Sequence, residues 1–110
     1  MIETILMFRN FKDPQYIKWR KEVYTRDHHC CQWPGCKIKN KLNAHHIKNW
    51  AQFPGLRFTV DNGLTLCKNH HNQIKGQEEI YAGVFLKIVK DNNDKRKLFE
   101  RTEDQIKNLD

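Results

Sequence analysis

The spacing of apolar residues near the start of the chain predicts a helix. Asp13 followed by Pro14 supplies an N-cap and a proline at the first helical position, two signals that mark where helices begin. Behind them, aromatic and apolar residues recur on one stripe at helical spacing. These residues are Tyr16, Ile17, Trp19, Val23 and Tyr24. We therefore expect an N-terminal helix over about residues 14–26.

Two short apolar segments in the middle of the chain predict strands, and a helix is expected to follow them. Residues 42–47 and 64–66 have the length and composition of short strands, separated by a longer loop over residues 48–60. A helix is expected over about residues 68–75, because Gly76 then stands where helices commonly end. Strands and helices in this order predict an α+β fold.

The last third of the chain, residues 77–110, predicts a helical tail with one interruption. Glu78–Lys90 carries apolar residues at helical offsets, although residues 84–86 also fit a strand. The polar segment Asp91–Asp94 breaks this pattern. A second, charged helix is expected over residues 95–109.

The length and composition indicate one soluble domain spanning residues 1–110. A chain of 110 residues is too short for two independent cores. It contains no apolar run near the ~20 residues that a membrane span requires. Its N-terminal segment has neither the basic start nor the cleavage site of a signal peptide. These features predict a cytoplasmic protein without a membrane partner.

The charge balance favours nucleic acid as a partner. Twenty Lys and Arg residues stand against 13 Asp and Glu residues, which gives a formal net charge of +7. The basic residues are spread along the chain and do not form one tail. A folded basic surface attracts polyanions and gains from counterion release, so DNA is the expected partner.

All the cysteines and histidines fall within residues 28–71, which indicates metal binding. The cysteines are at positions 30, 31, 36 and 67, and the histidines are at 28, 29, 45, 46, 70 and 71. Without a secretion signal a disulfide framework is not expected. The concentration of these residues is the strongest compositional feature of the chain.

Two close-spaced pairs of ligands predict a structural Zn²⁺ site. Cys31-x4-Cys36 and Cys67-x2-His70 supply four ligands, the number that tetrahedral zinc requires. Neighbouring residues of an extended segment point in opposite directions, so only one of Cys30 and Cys31 is expected to ligate, and the spacing to Cys36 favours Cys31. We call these four residues the zinc knuckle.

The stretch over residues 26–76 resembles the HNH endonuclease family, specifically its small phage-type members that contain zinc. The H, N and H of the family name fall on His46, Asn62 and His71. The flanking segments AHHI, DNG and LC-x2-HH also match the family pattern. The resemblance implies a ββα-metal (His-Me finger) core with flanking helices. It also implies hydrolysis of DNA phosphodiester bonds with one divalent ion.

The resemblance also assigns a role to each residue of the motif. His46 is expected to be the general base that activates water, and Asn62 to pin the loop and orient that base. His45 and His71 are expected to hold the catalytic ion, which Mg²⁺, Mn²⁺, Ni²⁺ or Zn²⁺ could provide. Because His45 and His46 are neighbours on a strand, we expect a twist or bulge to bring both to one site.

Two basic residues are candidates for binding phosphate. Many family members have another histidine where this chain has Lys75, and a protonated lysine cannot ligate a metal. Lys75 is expected instead to hold the scissile phosphate or stabilise the transition state. Arg57 lies near the expected cleft, where contact with a phosphate and a plain surface position are equally compatible with the sequence.

Several alternatives stay open at the level of sequence. The chain could be a catalytically inactive, zinc-stapled module that only binds nucleic acid. A nuclease could nick one strand or cut both, with low sequence specificity. It could act as a homodimer or with a phage-encoded partner protein, in which case the host-cell cytoplasm is the expected location.

Overall fold

Two antiparallel strands lie at the centre of the structure, a computed structural model that describes residues 9–107. Strand β1 is Leu42–His46 and strand β2 is Gly63–Cys67. For residues 99 and 101–107 the backbone alone is described, and positions 108–110 of the expected tail lie outside the described residues. Both strands occur where the apolar segments predict them.

Within the described residues, three α-helices surround this hairpin. Helix α1 is Pro14–Arg26, and the carboxylate of Asp13 caps it by accepting the Gln15 N–H at 2.8 Å. Helix α2, Lys68–Gln73, follows β2 directly, and helix α3 is Glu78–Lys107. The structure thus has the expected α+β composition, with helices flanking a two-stranded sheet. In the part of the chain that the structure describes, no helix combines the length and the apolar character needed to cross a membrane.

The helices cover opposite faces of the hairpin and bury two apolar clusters. Helix α1 packs on one face through an aromatic cluster consisting of Tyr16, Trp19, Val23, Ala44 and Trp50. Helices α2 and α3 cover the other face and bury a second apolar cluster there. The second cluster consists of Cys31, Ile47, Leu64, Leu66, Cys67, Ile74, Ala82, Phe85 and Val89. At the end of β1 the side chains alternate between the two clusters, because Ala44 and His46 face α1 whereas His45 contacts Phe85.

One continuous helix, α3, occupies the range in which the sequence predicted two elements, over residues 78–90 and 95–109. The alternative of a strand over residues 84–86 is wrong, because the backbone there is helical. Its buried residues Ala82, Phe85 and Val89 recur at intervals of three and four and face the hairpin. Val84 and Leu86, which flank Phe85, are exposed.

The helix break expected at Asp91–Asp94 is also wrong. Lys87 pairs with Asp91 and Lys90 pairs with Asp94, each at 3.0 Å and four residues apart on the exposed surface of the helix. Solvent screens such exposed pairs, so each contributes little to stability. They show that this polar segment suits a helix surface, but they do not by themselves hold it in place.

A buried polar network anchors the middle of α3 to the rest of the molecule. The Asp27 carboxylate, 1% exposed, accepts hydrogen bonds from the Arg26 guanidinium, the Thr65 backbone N–H at 2.9 Å and the Asn92 amide at 3.1 Å. Arg26 also donates to the carbonyl of Gly63. The pair therefore has the extra hydrogen bonds that offset its desolvation cost. Asn92, inside the predicted break, is needed for this contact, and it keeps the helix continuous.

Gly63 is required by the packing of α1 against the hairpin. A Cβ at this position would lie 2.5 Å from Val23 Cγ2 and 2.7 Å from Trp19 Cζ2. We expect Gly63→Ala to lower the free energy of unfolding by about 1–3 kcal/mol or more, because both neighbours belong to a packed cluster. Urea denaturation of the metal-loaded protein measures the change. Gly55→Ala is the matched control, since no atom lies within 4 Å of its added Cβ. Equal stability of the two variants would contradict the close contact.

Candidate metal sites and histidine cleft

The four residues of the zinc knuckle converge on one point. Their ligand atoms all lie within 4.8 Å of one another. His70 Nδ1 is 3.6 Å from Cys31 Sγ and 3.3 Å from Cys67 Sγ. In tetrahedral zinc sites with Zn–S near 2.3 Å and Zn–N near 2.1 Å, neighbouring ligand atoms are about 3.5 Å apart. The cluster can therefore hold one metal ion and is consistent with a structural zinc.

Local backbone structure places each ligand of the knuckle. Cys36 follows a tight turn closed by its N–H bond to the Trp33 carbonyl at 2.8 Å, with Gly35 at φ +83°. Cys67 is the last residue of β2, and His70 lies in the first turn of α2. The Trp33 ring stacks on the His70 imidazole with centroids 4.6 Å apart and planes inclined by 4°. This stacking fixes the orientation of the histidine ligand.

The choice of Cys31 over its neighbour is confirmed by the geometry. Cys31 is 2% exposed and belongs to the cluster, whereas the Cys30 Sγ faces the Cys31 carbonyl oxygen at 3.6 Å. Burial raises the pKa of the Cys31 thiol to about 12. A cation at the cluster would favour the thiolate, which is the form that ligates metal.

A second candidate site is a cleft of about 730 Å³ at the end of the hairpin where β1 finishes, which we call the histidine cleft. It is lined by Arg9, His45, His46, Asn49, His71, Lys75, Gly76, Gln77, Glu78, Glu79 and Ile80. The cleft thus brings together His45, His46, His71 and Lys75, four of the residues predicted to take part in the chemistry.

His46 is held in a fixed position with one ring nitrogen available. Its ring lies against Trp19, with centroids 4.0 Å apart and planes inclined by 15°, and against the edge of Trp50. His46 Nε2 is 2.9 Å from the backbone oxygen of Arg57. Because a carbonyl only accepts, Nε2 carries the hydrogen and Nδ1 has the lone pair in the neutral ring. Nδ1 is buried, and no residue in the described part of the chain forms a hydrogen bond with it.

The environment keeps His46 neutral at physiological pH. Burial lowers its pKa to about 4, and the charges of Arg9 and Arg57 lower it further against the opposing hydrogen bond to the Arg57 carbonyl. A buried polar atom without a partner costs about 1–3 kcal/mol and is uncommon in folded proteins. The lone pair of Nδ1 is therefore available to accept a hydrogen bond or a proton from a bound molecule.

His45 points to the other face of β1 and meets His71 there. The two rings are 5.6 Å apart between centroids, and His45 also contacts the edge of Phe85. His45 is 6% exposed, and within residues 9–107 its Nε2 has no hydrogen-bond partner that the structure describes. Burial, followed by the neighbouring His71, lowers the pKa of His45 to about 4, and burial also lowers the pKa of His71. Both imidazoles are thus neutral and able to ligate a metal ion.

His45 and His46, on opposite faces of β1, both line the cleft, and the strand contains no bulge. The pairing of β1 with β2 runs in an unbroken register from Leu42 opposite Cys67 to His46 opposite Gly63. His45 and His46 point to opposite faces, as regular pleating dictates. Because His46 is the last residue of β1, the cleft at this end of the hairpin is lined from both sides.

Asn62 fixes the loop that follows β1. Its side-chain oxygen accepts the Lys48 N–H at 2.8 Å, and its amide donates to the carbonyls of Lys48 at 3.1 Å and Leu56 at 3.2 Å. Leu56 directly precedes Arg57, whose carbonyl contacts His46. Asn62 is therefore connected to the His46 ring through one short segment of backbone.

The two candidate phosphate ligands occupy different positions. Helix α2 ends at Gln73, earlier than expected, so Lys75 lies in the following turn, yet it still lines the cleft. Arg57 lies behind His46. Its Nε donates to the Trp50 carbonyl at 2.8 Å, and its guanidinium is 4.5 Å from the centroid of the Trp50 ring.

Two cleft residues were not identified from the sequence. Arg9 approaches from the segment before α1, and its guanidinium is 5.4 Å from the Trp50 ring. Glu78 approaches from the first turn of α3. Neither lies within a motif, and each reaches the cleft only through tertiary packing. No local signal in the sequence could have identified them.

Comparison with protein-family models, with curated proteins and with solved structures returned no match to this chain. The functional argument therefore depends on the residues of the cleft and the knuckle themselves.

Proposed function

We propose that the chain is a metal-dependent DNA endonuclease of the HNH type. In this proposal β1, β2 and α2 form a ββα-metal core, and the zinc knuckle holds a structural Zn²⁺. One observation supports it most strongly. His45 Nε2 and His46 Nδ1 are buried, have no hydrogen-bond partner among the described residues, and belong to residues that line one cleft beside His71. Buried nitrogens without partners are uncommon, and metal binding by His45 Nε2 and proton uptake by His46 Nδ1 would account for both.

His46 is the proposed general base. Its Nδ1 takes a proton from a water molecule as the water oxygen forms a bond to phosphorus. The bond between phosphorus and the 3′ oxygen breaks, and that oxygen takes up a proton from solvent. The hydrogen bond from Nε2 to the Arg57 carbonyl stabilises the imidazolium that forms, because the same N–H remains a donor after protonation. The packing of the ring against Trp19 keeps Nδ1 in place during this step.

His45 and His71 are the proposed protein ligands of a divalent ion. Their donor chemistry fits, since both are neutral imidazoles on one cleft and no described residue forms a hydrogen bond with His45 Nε2. Such an ion, when bound, stabilises the negative charge that develops on the phosphate oxygens.

Basic residues around the cleft are proposed to position the DNA backbone. Lys75 and Arg9 both line it and carry charge opposite to that of a phosphodiester. Asn62 acts at a distance, because it holds the loop whose carbonyl orients His46. Arg57 contributes this carbonyl, and its guanidinium adds positive charge behind the base.

Plasmid cleavage by zinc-loaded protein tests the proposal. We expect nicking or linearisation that requires added Mn²⁺ or Mg²⁺. We expect His71→Ala to be slower by at least about 10-fold, since loss of a residue that only supports a metal ligand already costs about 10- to 100-fold. Asn72→Ala, an exposed neighbour on α2, is the matched control and should cleave like the wild type. Retardation of DNA without cleavage under every metal condition would leave a zinc-stapled nucleic-acid-binding module.

A further inference from the structure

The histidine cleft contains an acidic side chain that the proposed reaction does not use. Glu78, the first residue of α3, is half-buried and lines the cleft with His45 and His71. Facing a phosphodiester, a carboxylate is repulsive unless a cation lies between the two groups. Its presence in this cleft therefore needs an explanation.

The formal charges of the residues that line the cleft cancel. Arg9 and Lys75 contribute two positive charges, and Glu78 and Glu79 contribute two negative charges. With its histidines neutral, the lining therefore has no net charge to attract a polyanion. A divalent ion would supply that charge and at the same time neutralise a nearby carboxylate.

Glu78 is ionised and lies within electrostatic reach of both histidines. Its pKa is lowered, first by hydrogen bonding to its own backbone N–H and to that of Gly76, and further by His45 and His71. Glu78 in turn acts to raise the pKa of each imidazole, against the larger effect of burial. The carboxylate thus shares one electrostatic environment with the two proposed metal ligands.

We infer that Glu78 is the third protein ligand of the divalent ion in the histidine cleft, an inference that depends on the proposed function. Lys75 occupies the position where a further histidine ligand would stand, and an ammonium group has no lone pair to offer. Ligation requires the Glu78 side chain to rotate toward the imidazoles. Among the described residues, the zinc knuckle is the only group of three or more such side chains whose ligand atoms already lie within 4.8 Å of one another.

This ligand determines which metal the cleft prefers. Two imidazoles alone favour Ni²⁺ or Zn²⁺, whereas carboxylate oxygens suit Mn²⁺ and Mg²⁺. Addition of Glu78 to His45 and His71 gives two nitrogen donors and one oxygen donor, with the remaining positions left for water and phosphate. The inference therefore predicts a site that binds Mn²⁺ well and loses this preference without the carboxylate.

Calorimetric titration of Mn²⁺ into zinc-loaded protein tests the inference without measuring cleavage. We expect Glu78→Gln to raise the Kd for Mn²⁺ by at least about 10-fold. We expect a smaller change in the Kd for Ni²⁺. Glu79→Gln is the matched control, because it removes an acidic residue from the same first turn of α3 and has the same effect on the helix dipole. Its Kd for Mn²⁺ should stay within about two-fold of the wild-type value, the range expected for a group that does not ligate.

His71→Ala separates failure of this inference from failure of the proposed function. If His71→Ala abolishes Mn²⁺ binding and Glu78→Gln does not weaken it, the metal site stands and Glu78 is not a ligand. If Mn²⁺ binding does not depend on His71, both the proposed metal site and this inference are wrong. Equal weakening by Glu78→Gln and Glu79→Gln would also overturn the inference, since it would indicate a general effect of charge.

Discussion

Chelation of zinc is expected to abolish the cooperative folding of the protein. Two ligands of the knuckle, Cys31 and Cys67, are buried in the cluster under α3, and a third, His70, is on α2. This helix has six residues, too few to be stable alone in water. Structural zinc contributes an apparent ~10–16 kcal/mol in small zinc-dependent peptides, as much as the whole net stability of a typical domain.

Thermal melts followed by circular dichroism measure this effect. We expect the cooperative transition to disappear with a strong chelator and to return when zinc is restored. Cys36→Ser should have the same effect as chelation, because it removes one of four ligands from a half-buried position. Cys30→Ser is the matched control and should melt close to the wild type. A cooperative melt that persists in the metal-free protein would show that the hairpin and helices hold together without the ion.

His46→Ala is expected to lower kcat for DNA cleavage by about 10²- to 10⁴-fold, the usual contribution of a general base. The reason is geometric. Nδ1 is the only ring nitrogen of His46 free to take a proton, since Nε2 is bonded to the Arg57 carbonyl. Zinc content and DNA binding should stay near wild-type values, because the His46 ring contacts the aromatic cluster and not the knuckle.

Removal of the His46 ring also leaves a cavity beside Trp19, so a second variant is needed. His46→Gln retains an amide that can donate to the Arg57 carbonyl, but it has no group that accepts a proton near neutral pH. We expect it to fold with a melting temperature closer to the wild type and to be as inactive as His46→Ala. Substantial cleavage by a folded His46→Gln protein would place the general base elsewhere.

The sequence predicted best what depends on local spacing. The knuckle is one case, because two ligand pairs at fixed separations leave few other arrangements for Cys31 and Cys67. Helix α1 is another, since Asp13 and Pro14 mark its start. The alternation of His45 and His46 across β1 also followed from the period of a strand. The expected twist or bulge does not follow from that period. Because His46 is the last residue of β1, side chains on both faces of the strand can line one cleft.

Long-range packing decided the features that the sequence did not predict. Asn92 lies in a segment with a helix-breaking composition, but its amide reaches Asp27 and Gln32 across the fold, and the helix continues. The available nitrogen of His46 depends on a carbonyl eleven residues further along the chain. Glu78 becomes a cleft residue only because α3 begins beside His71.

The position of α2 has a thermodynamic consequence. This one short helix carries His70, a ligand of the knuckle, next to His71, a proposed ligand of the ion in the cleft. If zinc binding orders α2, the proposed ion in the histidine cleft does not have to supply that free energy when it binds. By linkage the effect is reciprocal, so an ion bound in the cleft must tighten zinc binding by the same factor. If both ions bind as proposed, the two metal equilibria are coupled, and the cleft binds its ion more tightly in molecules that already hold zinc.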